Sequence, residues 1–134
     1  MTAQVNTRHR GPPAWFLACG WMVPAGVFAQ FVSAGLGLFL DAQMLGAHAA
    51  VGISLSLPLT GLLAGSVMIP RLRGLLRWTV LATVIYGVQI MLAAGAVPAL
   101  MALHPANGAL LLATSLILLA RALAGGRRDA AAAA

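Results

Sequence analysis

Lysine and glutamate are absent from this chain, and only Asp41 and Asp129 oppose its eight arginines. Charged residues make up 7% of the 134 and apolar residues 61%. A soluble domain carries about a quarter charged residues, so this composition excludes a surface covered by water-solvated groups. A single cysteine, Cys19, excludes an internal disulfide and any multi-cysteine metal site, and it reads as a small residue within a helix. The chain has no carboxylate pair, no Ser/His/Asp set in one region and no phosphate-cradling glycine loop, so the common chemistries of soluble enzymes lack their residues. The net charge of +6 does not indicate a nucleic-acid partner. The arginines lie between apolar runs and not on one soluble face, so the lipid bilayer and its anionic headgroups are the simpler partner.

What is present is one domain built of four long apolar runs. A spanning helix needs about 20 mostly apolar residues. Residues 14–40, 46–69, 78–98 and 104–124 meet that requirement. The fold class expected is all-α, an integral membrane four-helix bundle running up-down-up-down. Residues 1–13 read as an N-terminal tail, 14–124 as the transmembrane domain and 125–134 as a disordered tail ending in alanines. The last two spans, with few residues between them, predict a tight antiparallel hairpin.

The arginines set the orientation. Arg8 and Arg10 precede the first span, Arg71, Arg73 and Arg77 separate the second and third, and Arg121, Arg127 and Arg128 close the fourth. Four spans put all eight on one face, which the positive-inside rule assigns to the cytoplasm, with both termini. The Ala, Gly, Arg and Pro bias is that of a GC-rich bacterial genome, so the expected location is a bacterial cytoplasmic membrane. A cleaved signal peptide ending at Ala29 is the competing view of the N-terminus. The apolar run continues to Leu40, longer than a signal core of about 7–15 residues, and favours a retained helix. Pro24 and Pro58 fall inside spans and should bend them. Trp15, Trp21, Trp78 and Tyr86 fall toward the arginine side, where Trp15 and Trp78 suit an interfacial belt.

The two halves repeat one layout. Gln30, Ala34 and Gly37 in the first span match Gln89, Ala93 and Ala96 in the third. His48 and Gly52 in the second match His104 and Gly108 in the fourth. Two pseudo-repeated hairpins running in the same sense imply a twofold axis along the membrane normal. That axis brings His48 and His104 to one depth, opposite each other at the arginine-free side. The shorter turn after the third span is expected to absorb the difference in Gln-to-His spacing. Gln30 and Gln89 read as interhelical hydrogen-bonding residues.

An ionisable residue in a span is a functional candidate by default. The positive end of a helix dipole keeps an imidazole neutral, which is its metal-binding form. Glycine four residues on, at Gly52 and Gly108, leaves a flat face for a macrocycle. The pair therefore reads as a bis-histidine site for haem b iron, with His48 and His104 as metal ligands. Met44 and Met101 beside these histidines make copper the alternative. The bland reading treats both histidines as interfacial, His104 as a cap before Pro105, and Gly52 as a packing contact. Asp41 is expected to cap the second helix or to orient His48.

The sequence Ala102-Leu103-His104-Pro105-Ala106-Asn107-Gly108, with His48 followed by Gly52, resembles a group of small bacterial four-helix membrane proteins of uncharacterised function. The same layout is similar to one half of haem A synthase and, more loosely, to cytochrome b561. That resemblance implies haem ligation by His48 and His104. The acidic residue of the catalytic half of haem A synthase is missing, which favours haem binding over haem modification. Three functions follow: a haem b electron-transfer protein, a non-catalytic accessory subunit of a larger membrane complex, or a small copper-handling or transport protein acting as a homodimer.

Overall fold

The computed structural model describes residues 11–95 and 97–131. Among them there is no strand. The chain forms α1 (Ala14–Phe39), α2 (Met44–Ser54), α3 (Ser56–Met68), a 3-10 helix (Pro70–Leu75), α4 (Leu76–Ala94), α5 (Pro98–Met101) and α6 (His104–Ala131). Four stretches are long and apolar enough to cross a bilayer: Ala14–Phe39, Met44–Met68, Pro70–Ala94 and Pro98–Arg127. Large apolar side chains lie exposed along them, among them Phe28, Leu38, Phe39, Leu57 and Met91. In water such a surface would aggregate, whereas in lipid it is the solvated face. The protein is a multi-pass membrane protein in a lipid bilayer.

Sequence neighbours are neighbours in space, and the last helix closes on the first. α1 packs against α2, α3 and α6, while α4 packs against α3 and α6. This is the up-down-up-down bundle expected. The segment before α1 meets the C-terminal part of α6 at the arginine-bearing end, where a Cβ on Gly11 would stand 3.1 Å from the Gly126 Cα. Arg8 and Arg10 lie outside the described residues.

Local chemistry moves several boundaries. The second span breaks at Leu55, three residues before Pro58. Proline lacks the N–H that would bond the Ser54 carbonyl, and its ring crowds that carbonyl. Pro24, by contrast, lies within the unbroken α1. The third span is preceded by a 3-10 turn with Pro70 in its first position, so the expected loop is itself helical. It ends at Ala94, before Gly95 and the short helix begun by Pro98. The link to α6 therefore covers residues 95–103 and is wider than the tight turn expected. The disordered tail expected over 125–134 is also corrected: α6 continues to Ala131, while 132–134 lie outside the described residues. Its 28 residues extend about 42 Å at 1.5 Å per residue, beyond the hydrocarbon layer of about 30 Å.

The core sits toward the arginine end. Phe16, Val23, Leu59, Leu62, Leu72, Leu111, Leu118 and Ala122 form one buried cluster. A Cβ on Gly65 would come within 2.7 Å of the Trp15 ring and 2.9 Å of the Phe16 ring, so α1 and α3 approach closely there. α2, at the other end, has no buried residue.

Candidate functional site: a histidine pair in a membrane cavity

Because the chain breaks at Leu55, α2 packs chiefly on α1 while α3 packs on both α1 and α4. The space left between α1, α2, α4 and α6 is a cavity of about 340 Å3. Phe31, Ala34, Ile53, Ala93 and Leu111 give it an apolar wall, and its polar groups are Gln30, His48, Tyr86, Gln89 and His104. Volume and lining are those of a small-molecule site, with a few polar groups converging in an apolar wall.

The two histidine rings are neighbours. Their ring centroids are 6.1 Å apart, with the planes tilted by 55°. The repeat sets this up within each hairpin. Gln30 Nε2 donates to the His48 carbonyl at 2.8 Å, and Gln89 Nε2 bonds His104 Nε2 at 3.0 Å. Each glutamine thus ties the first helix of its hairpin to the second, and the two glutamines are not paired with each other. The i+4 glycines serve this contact. A Cβ on Gly52 would stand 3.2 Å from Gln30 Oε1, and one on Gly108 would stand 3.3 Å from Gln89 Nε2. The absent side chains make room for a glutamine, where the sequence suggested room for a macrocycle.

Backbone carbonyls fix the tautomers, because a carbonyl oxygen can only accept. His48 Nδ1 faces the Gln30 carbonyl at 3.1 Å, so it carries the proton. Ser33 Oγ, which donates to that carbonyl, lies 3.1 Å from the same ring nitrogen. His48 Nε2 therefore holds a lone pair and has no protein partner. On the other ring, Asn107 Nδ2 donates to the Ile85 carbonyl at 3.0 Å and to Gln89 Oε1 at 2.6 Å. That orientation leaves Gln89 Nε2 as the donor to His104 Nε2, so the proton of a neutral His104 sits on Nδ1. Nδ1 is buried without a hydrogen-bond partner. The pair therefore combines an acceptor without a protein partner on His48 with an unpaired donor on His104.

Three further residues have partners that the sequence did not identify. Tyr86 donates to the Gly52 carbonyl at 3.0 Å and lies 3.2 Å from that of Ile53. These carbonyls fall where α2 ends and its ladder lapses. Tyr86 therefore lines the cavity and does not join the tryptophans at the arginine end. An aromatic hydroxyl inside a span needs an acceptor, and that was the available signal. Ser33 had no such signal. Asp41 accepts from the Gln43 N–H at 2.9 Å, so it closes the turn before α2 and bonds neither histidine.

The spacing between repeats also has a different cause. The linker 40–43 in the first hairpin is shorter than 95–103 in the second. The second Gln-to-His interval is nonetheless smaller, because Gln89 lies close to the end of α4 and His104 opens α6. Ala96 of the repeat lies outside the described residues.

Among the described residues no three His, Cys, Asp or Glu side chains gather as a metal site. Two imidazoles suit a metal already held by other ligands, as in a macrocycle. Two ring centres sharing a metal lie about 6 Å apart, from about 2 Å between each nitrogen and the metal and about 1 Å between each nitrogen and its ring centre; the observed separation is of that size, with His104 Nε2 directed at Gln89. The Nδ1–H bond of His48 to a carbonyl is the usual orienting contact of a ligating imidazole. His104 fits less directly, since Gln89 must release Nε2. Met44 and Met101 do not line the cavity, so the thioethers of the copper reading stand apart from it.

No curated protein and no solved structure matches the chain. A family model matches residues 30–97, just over half of the chain. That stretch holds Gln30, His48, Gly52 and Gln89 and stops before His104. The chain belongs to DUF6220, a family of unknown function.

Proposed function

We propose that the protein binds b-type haem in the bilayer, with His48 and His104 as axial ligands, and that it serves one-electron transfer. The observation carrying this reading is the separation of 6.1 Å between two imidazole centres that both line one apolar cavity. Bound haem would supply a redox-active iron whose potential answers to its ligands and burial. His48 is oriented by the Gln30 carbonyl with Nε2 unpartnered. His104 joins once Gln89 turns away. The positive-inside rule supports an orientation with the arginine end in the cytoplasm, which puts the site toward the opposite surface of a bacterial inner membrane.

The test is an absorption spectrum of protein purified with haem supplied. A Soret band that persists in wild type and disappears in a His48→Ala/His104→Ala variant is expected. A colourless wild type, or an unchanged band in the double variant, overturns the proposal.

One observation favours a second reading. With Gln89 bonded to His104 Nε2, His48 Nε2 is left as an unpartnered acceptor for the hydroxyl of a lipid-soluble phenol or hydroquinone headgroup. Colourless protein that binds a short-chain hydroquinone, and loses it on His48→Ala, supports this reading over haem.

A further inference from the structure

The arginine end carries a second cleft, unrelated to the histidines. Its volume is about 270 Å3. Arg71, Leu72 and Leu75 line it from the 3-10 helix, Arg121 and Ala122 from α6, and Pro12 from the segment before α1. Two guanidiniums from separate elements thus border one recess with an apolar floor.

Three features bear on what this recess can hold. Among the described residues neither Arg71 nor Arg121 forms an ion pair, and Asp41 lies at the opposite end of the bundle. Like charges held at one recess repel each other unless an anion joins them. Arg121 is also held in place, stacked over the Trp78 ring at 4.9 Å from its centroid, while Arg77 approaches the same ring at 5.5 Å. Stacking spends no guanidinium N–H, so Arg121 keeps its full set of donors for a ligand. Finally, the recess lies where spans meet headgroups, and there the phosphate concentration is that of the membrane surface itself. Basic pockets between spans are recognised lipid-headgroup sites. The leucine and alanine floor suits the glycerol and upper acyl carbons of the same molecule.

We infer that this cleft binds the phosphate of an anionic phospholipid, with Arg71 and Arg121 as the paired donors. Planar guanidiniums match phosphate oxygens two at a time, which an ammonium cannot do. The ligand chemistry is a phosphate ester, and the apolar floor selects a lipid over a soluble phosphate.

Native mass spectrometry of the full chain released from detergent, with phosphatidylglycerol or phosphatidylcholine added, tests this. Wild type should retain phosphatidylglycerol in preference. Arg71→Gln or Arg121→Gln should each reduce that preference about fivefold, and the pair together about thirtyfold. Arg73→Gln is the control, since it removes one charge from the same turn without touching the cleft. Size exclusion and circular dichroism verify that each variant is folded. The proposal is overturned if Arg73→Gln matches the loss in Arg71→Gln, because net charge then explains the binding. It also fails if the folded double variant keeps the wild-type preference. If inorganic phosphate at low millimolar concentration displaces the lipid, the ligand is a soluble phosphate and the lipid assignment falls.

Discussion

The two ends of this bundle solve the membrane problem in opposite ways. At the arginine end, buried hydroxyls bond within their own helix: Ser66 to the Leu62 carbonyl at 2.9 Å, Thr79 to that of Leu76 at 3.0 Å, and Ser115 to that of Leu112 at 2.8 Å. Packing between helices there is left to apolar side chains and to the close approach at Gly65. At the histidine end the pattern inverts. Gln30, Tyr86, Gln89 and Asn107 bond across from one helix to another, and the apolar side chains line a space. Lipid tails are as apolar as leucine, so helices in a bilayer associate through packing and hydrogen bonds and not through exclusion of water. One end uses the first means and the other the second. A bundle tied by hydrogen bonds can stay hollow, because each bond fixes a helix without filling the interior.

Substitutions in the closed end should therefore cost the most stability. Leu62→Ala removes a side chain that is 1% exposed, and it should cost about 2 kcal/mol. That is the low end of the range for a buried leucine, because lipid also solvates the side chain when helices separate. Unfolding by increasing mole fraction of a denaturing detergent, followed by tryptophan fluorescence, measures it. A loss below about 0.5 kcal/mol would dissolve the contrast between the ends.

Gly65→Ala comes next, at about 1–2 kcal/mol, since the added methyl presses on Trp15 and Phe16. Pairing it with Trp15→Ala should recover part of the loss and sharpen the comparison. In the hollow end, Asn107→Leu removes two hydrogen bonds, to the Ile85 carbonyl and to Gln89, and should cost about 1 kcal/mol, since an intramembrane hydrogen bond is worth about 0.6 kcal/mol. The same change frees Gln89 to leave His104 Nε2. On the haem reading it should raise haem affinity in an absorbance titration. Smallest of all, Ala34→Leu grows a side chain from the cavity wall and should change stability by less than about 0.5 kcal/mol. It should nonetheless abolish ligand binding, measured by calorimetry or by the Soret band. A cost matching that of Gly65→Ala would mean that the cavity is not open space.

Much of this arrangement was legible beforehand, and for identifiable reasons. The four spans follow from runs of apolar residues, and the bundle order from short links. The repeat of Gln30 with His48 and of Gln89 with His104 predicted that the histidines meet, because a shared layout implies a shared geometry. Other features were not legible. Pro58 announced a bend, but that α2 would lean on α1 and open a cavity depends on which neighbour offers packing. The glycines at Gly52 and Gly108 looked like empty faces, and nothing in their spacing says that a glutamine fills them. Tyr86 was placed toward the arginine side because its depth was read from its sequence distance to Arg77, whereas its position is fixed by the Gly52 and Ile53 carbonyls at a helix break elsewhere.

The amino-acid sequence alone determined the solvent of this protein and the pairing of its histidines. Transfer of apolar side chains into lipid is additive along a chain, and a repeated motif needs no third dimension to be seen. Only the tertiary structure decided which nitrogen of each ring is occupied and where the cavity lies. Both depend on carbonyls and amides that meet from different helices, through directional bonds that local composition does not encode.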